Sequence, residues 1–145
     1  MLHQDGLGPA MLFDIHPDSG VPIYEQIVDQ ITFAIASGAL EVGGLIPSVR
    51  ELAHEHLLVN PNTVARAYRE LERRGVITAL RGLGMVVTPN APELCRRQRQ
   101  DTVRDRIRQA LREAVSSALS PEEIRKLVDE ELARVNGQRR TREKH

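Results

Sequence analysis

A chain of 145 residues that is 41% apolar can fill one small core and an appendage, and it holds no apolar run near the ~20 residues a membrane span needs. The single cysteine, Cys95, excludes an internal disulfide and a cysteine-based zinc site; with no charged-then-apolar leader at the start, a cytoplasmic location is expected. The net charge of zero hides an asymmetry, since residues 1–90 carry six arginines against ten carboxylates (−4) and residues 91–145 carry fourteen cations against ten (+4). Composition alone therefore argues weakly against a nucleic-acid partner for the first part, unless its few cations gather on one face.

Residues 1–10 hold two glycines and a proline without periodicity and read as a disordered lead-in. After the turn signal at 16–20, isoleucines at 23, 27, 31 and 35 set a helical period from Pro22, and Gly38 closes it. Residues 41–47 read as a connector. Ser48-Val49-Arg50-Glu51 has the form of a capping box, opening a short second helix that buries Val49, Leu52 and Ala53; 56–59 read as a tight turn. A third helix starts at Asn60-Pro61, presents Val64, Ala67, Tyr68 and Leu71 to the core, and stops at Gly75. Two β-like runs, 76–80 and 85–88, flank the glycine-rich tip Arg81-Gly82-Leu83-Gly84.

Beyond the break at 89–92 the chain is helical and charged. Leu94, Val103, Ile107, Ala110, Leu111, Ala114 and Ala118 mark one face of a long helix. Ser120-Pro121-Glu122-Glu123 opens another, carrying Ile124, Leu127, Val128, Leu132 and Val135. The 55 residues from 91 on are too few for an independent core, so these stripes predict a homodimer through the C-terminal helices. The expected architecture is mainly α with a small β-hairpin. It comprises a winged helix-turn-helix domain over 11–90, a helical dimerisation tail over 91–136 and a flexible C-terminus over 137–145.

Three short helices followed by a hairpin suit double-stranded DNA: the third helix enters the major groove, N-terminal residues first, while the second braces against the backbone. Asn62 and Thr63 are small polar residues at that leading end, and Arg66 and Arg69 follow on the same face. Arg50 can span to a phosphate or a guanine edge from the second helix, and Arg81 with Gly82 forms a compact basic tip for the adjacent minor groove.

The run Leu45-Ile46-Pro47-Ser48-Val49-Arg50-Glu51-Leu52-Ala53, with Val59-Asn60-Pro61-Asn62-Thr63-Val64-Ala65-Arg66-Ala67-Tyr68-Arg69-Glu70-Leu71-Glu72, Gly75 and the wing 81–87, resembles the GntR family of bacterial regulators. The resemblance implies a DNA-binding transcriptional regulator whose contacts fall on Ser48, Arg50, Asn62, Thr63, Arg66, Arg81 and Gly82. The short tail resembles the YtrA-like subfamily, which implies a tail that dimerises and, often, a repressor encoded beside ABC-transporter genes. Two departures stand out. Gly43-Gly44 replaces the usual Pro-Gly, which is expected to loosen that loop, and Leu58 sits in the turn where glycine is common.

Alternatives stay open at several positions. Arg66 and Arg69 have Glu70 and Glu72 within helical reach, Tyr68 suits either core packing or a phosphate contact, and Arg73 and Arg74 read as a solvated helix end. His54 and His56 point about 200° apart on a helix and make a poor shared metal site. No catalytic motif, metal or cofactor is expected. The rival readings are a winged helix that docks a protein partner and, in addition to DNA binding, an unknown small-molecule effector between the C-terminal helices.

Overall fold

The computed structural model describes residues 13–143, so the lead-in expected over 1–10 lies outside the described residues. Phe13 to His16 run extended before a 3-10 turn at Pro17–Ser19. Helix α1 (Ile23–Ser37) buries Ile27, Val28, Ile31, Ala34 and Ile35, the face its four-residue period announces. Two glutamines on α1 tie the extended segment down. Gln30 accepts from the Asp14 amide (2.8 Å) and donates to its carbonyl (2.7 Å). Gln26, itself buried, does the same for His16 at 2.8 and 2.9 Å and also donates to the Val21 carbonyl. Each side-chain amide stands in for a neighbouring strand, and Phe13 and Ile15 thereby pack against the core.

Strand β1 (Leu45–Ile46) follows, where the sequence reads only as a connector. It pairs antiparallel with β3 (Gly84–Val87), which pairs in turn with β2 (Ile77–Leu80), giving a three-stranded sheet in the order β1-β3-β2. The expected hairpin is therefore two-thirds of the sheet. Two residues are too short for a strand signal in the sequence, and the pairing is extended by hydrogen bonds from Gly43 to the Val87 carbonyl (2.8 Å) and from Val87 to the Gly44 carbonyl (3.1 Å). The Gly43-Gly44 loop is thus held by the sheet. A Cβ on Gly44 would lie 2.8 Å from the Glu41 carbonyl oxygen, so the tight turn there requires glycine.

Helix α2 (Val49–Glu51) continues directly into wider, π-type turns over Leu52–Leu57, so of the tight turn read at 56–59 the first two residues are the end of this helix and only Leu58 and Val59 turn. Leu58 then takes the left-handed conformation at φ 54°. Helix α3 (Pro61–Arg73) packs on α1 and buries Val64, Ala67, Tyr68 and Leu71. Leu40, Ile46, Leu52, Val76, Ile77 and Val87 complete one core shared by helices and sheet.

Helix α4 (Ala91–Ser116) begins inside that core, with Ala91 and Cys95 buried. Burial pushes the Cys95 thiol up to about 11, the Arg74 cation offsetting part of the rise. The chain divides into compact units at 1–101 and 102–145, so the first turns of α4 belong with the sheet and α1–α3. In the second unit, α4 ends and Ala118, read as the last position of the apolar stripe, takes φ 64° in the turn before α5 (Pro121–Glu143). The Ser120 capping box closes in both directions: the Glu123 amide donates to the Ser120 hydroxyl (3.2 Å) and the Ser120 amide to the Glu123 carboxylate (2.9 Å). Helix α5 runs through Gly137 to Glu143, beyond residue 136 where the sequence reading ends the tail. Val103, Ile107, Leu111 and Val115 on α4 and Leu127, Val128, Leu132 and Val135 on α5 all stay exposed.

Candidate nucleic-acid interface

Helix α3 opens on a built N-terminus. The Asn60 side chain accepts from the Asn62 amide (2.8 Å), and Pro61 occupies the first helical position, where an N–H is not needed. At about 100° per residue, Asn62, Arg66, Arg69 and Arg73 fall within about 60° of one another, while Val64, Ala67, Tyr68 and Leu71 face the opposite side. The burial follows that division: the first four are exposed and the second four buried, with Thr63 half-buried between them.

Tyr68 settles on the core side. It is 3% exposed, and its hydroxyl donates to the Pro47 carbonyl at 2.6 Å. Burial, reinforced by the Glu51 carboxylate, holds the phenol well above its ordinary range, so it stays a neutral donor. That bond pins α3 to the segment leading into α2. One residue on, the Ser48 hydroxyl accepts from the Glu51 amide (3.1 Å), which caps α2 and leaves Arg50 exposed in its first turn.

The wing tip is a four-residue turn closed by the Leu83 amide donating to the Leu80 carbonyl (2.9 Å). Gly82 has φ 84° while Arg81 keeps a negative φ, the pattern of a type II turn, which places glycine at its third position. A Cβ on Gly82 would meet nothing, so backbone conformation alone calls for glycine there. Ser48, Arg81 and Gly82 line one groove of about 510 Å³ between the wing and the start of α2. A second open cleft is walled by Tyr24, Arg66, Arg69, Glu70 and Arg73.

Electrostatics separate the six arginines of residues 1–90 into two groups. Arg73 donates to Glu70 from Nε (2.8 Å) and Nη2 (2.6 Å), and Arg74 Nε lies 3.4 Å from the same carboxylate. The hydrogen bond from Arg73, with the charges of both arginines, holds Glu70 down at about 2. Arg50, Arg66, Arg69 and Arg81 have no carboxylate partner among the described residues. Arg66 instead stacks on the Tyr24 ring, its guanidinium carbon 3.8 Å from the ring centroid. An acidic domain thus keeps four exposed cations unneutralised.

The profile of the bacterial regulatory proteins of the gntR family matches residues 23–87. The chain is 36% identical over 126 residues to the HTH-type transcriptional repressor YtrA of Bacillus subtilis, covering 87% of this chain and 96% of the relative. The chain belongs to the GntR family.

As a GntR-family protein it is a DNA-binding transcriptional regulator and not an enzyme. Among solved structures, a transcriptional regulator from Oenococcus oeni superposes with a TM-score of 0.69 at 34% identity, over 81% of this chain and 97% of that one. A GntR family transcriptional regulator from Listeria monocytogenes gives 0.65 at 35% identity, over 78% and 97%. The winged-helix fold with C-terminal helices is therefore that of the family.

The structure brings Ser48, Arg81 and Gly82 to one groove and Arg66 and Arg69 to one cleft, with Asn62 and Thr63 at the head of α3. Arg50 is exposed on α2 and lines neither. Tyr24 escapes the sequence reading, because its position beside the helical stripe of α1 signals only core packing. Its partner lies forty-two residues away and becomes visible only once α1 and α3 are packed.

Proposed function

We propose that this GntR-family regulator is a cytoplasmic homodimeric repressor that holds a palindromic operator between two winged helices. Arg50, Arg66, Arg69 and Arg81 would carry its cationic contacts, with Ser48, Asn62, Thr63 and Gly82 admitting the DNA backbone. The observation that carries the contact set is the division of the arginines: Glu70 takes up both Arg73 and Arg74, and the other four have no carboxylate partner among the described residues. Phosphate attraction depends on local potential, so unneutralised cations give an acidic domain local sites of positive potential.

The homodimer is supported by the exposed apolar side chains of α4 and α5, too many to leave in water on a small monomer. The working division is a winged-helix domain over 11–90 joined to a dimerising tail over 91–136, with α4 anchored in the first unit through Ala91 and Cys95. Repression, as named for the Bacillus subtilis relative, is the expected sign. Resemblance to the YtrA-like subfamily supports a transporter operon as the target.

Selection of bound sequences from random DNA by the full chain, with light scattering on the same sample, tests this reading. An inverted repeat bound by a dimer is expected. A single unrepeated site bound by a monomer overturns it.

A further inference from the structure

We propose that Tyr24 is a positioning residue of the DNA interface, its ring presenting the edge of the Arg66 guanidinium to a pair of acceptors on the operator. The inference rests on Arg66 being a DNA contact. Tyr24 lies in the first turn of α1, which packs along α3, and its half-buried ring lies 3.8 Å from the Arg66 guanidinium carbon.

Stacking occupies the flat face of a guanidinium and leaves its five in-plane N–H donors unspent. Nearby carboxylates do not claim them. Glu70 is taken up by Arg73 and Arg74, and Glu25 accepts from the Tyr24 hydroxyl (3.2 Å). An arginine alone on a helix surface samples many rotamers, and ordering it on binding is costly. The ring selects one orientation before DNA arrives, and the open cleft of about 360 Å³ beside it leaves room for the acceptor pair. That pair is either two phosphate oxygens or the O6 and N7 of a guanine, both of which match the planar fork.

The test is a double-mutant cycle on the full chain, with affinity for the selected operator at fixed salt and thermal unfolding of every variant. Tyr24→Phe keeps the stack and should bind as the wild type. Tyr24→Leu should bind about three- to tenfold more weakly without a matching loss of thermal stability. Arg66→Ala should lose more, and adding Tyr24→Leu to Arg66→Ala should cost nothing further. If Tyr24→Leu unfolds early, Tyr24→Met repeats the measurement with the bulk against α3 retained. Wild-type affinity in the Tyr24 variant, or a loss that adds in full to that of Arg66→Ala, overturns the positioning role while leaving Arg66 a contact. Wild-type affinity in Arg66→Ala overturns both. Loss confined to the selected operator identifies a guanine edge, and equal loss on unrelated DNA identifies phosphate; either supports the presentation of the fork.

Discussion

The Tyr68 hydroxyl donates to the Pro47 carbonyl at 2.6 Å, across twenty-one residues and inside the core. It joins the middle of α3 to the residue before the Ser48 cap, so this bond adds to the shared core packing in setting the two elements expected to meet DNA relative to each other. Tyr68→Phe leaves a buried carbonyl without its donor and should cost about 1–3 kcal/mol in denaturant unfolding. Operator affinity should fall as well, because the α2–α3 geometry loosens. Unchanged unfolding would show that water replaces the phenol.

Leu58 ends the second helix in a left-handed conformation at φ 54° with 85% of its surface exposed. Its side chain contributes little packing to offset the backbone strain. Leu58→Gly should therefore stabilise the chain by about 1 kcal/mol, read as a raised midpoint in thermal or denaturant unfolding. A lowered midpoint would mean that the leucine makes contacts that outweigh the strain.

Glu70 should act in two ways. Its carboxyl is held at about 2 in the folded chain, below the ordinary 4.5, so its ion pairs stabilise the fold above that ordinary value. This contribution declines as pH falls from about 4.5 toward 2, and Glu70→Gln should flatten that part of the stability–pH profile. The same substitution frees Arg73 and Arg74, and binding to unrelated DNA should strengthen with a steeper salt dependence.

The tail offers a cleaner test of assembly than removal of everything after Pro89, since that cut would strip Ala91 and Cys95 from the core. Leu127→Asp combined with Leu132→Asp changes only exposed positions of α5. The variant should remain folded, scatter light as a monomer and bind the operator far more weakly. A dimer of unchanged affinity would place the interface elsewhere.

Much of this architecture is legible in the sequence because its signals are local. The isoleucine period of α1, the caps at Ser48, Asn60 and Ser120, and the stripe of α3 each depend on residues a few positions apart, and each appears where that spacing places it. What escapes is set by packing at a distance. Strand β1 exists because Leu45 and Ile46 find Val86 and Met85, and two residues carry no period of their own. Gln26 and Gln30 read as polar positions on a helix, yet they hold the backbone of residues 14 and 16. The choice between core and phosphate for Tyr68, and between pairing and freedom for Arg66 and Arg69, likewise turned on the carbonyl of Pro47 and on which arginine reaches Glu70 first.

In the proposed interface the unneutralised arginines contact DNA and the paired ones do not. The direct measurement is the slope of log affinity against log salt on one operator for Arg50→Ala, Arg66→Ala, Arg69→Ala and Arg81→Ala, set beside Arg73→Ala. Each of the first four should weaken binding, by ~1–3 kcal/mol where a base edge is read, and those that touch phosphate should lower the slope by about 1. Arg73→Ala should leave both nearly unchanged, with Arg74 still beside Glu70. Equal losses for Arg73 and for the four would contradict the account.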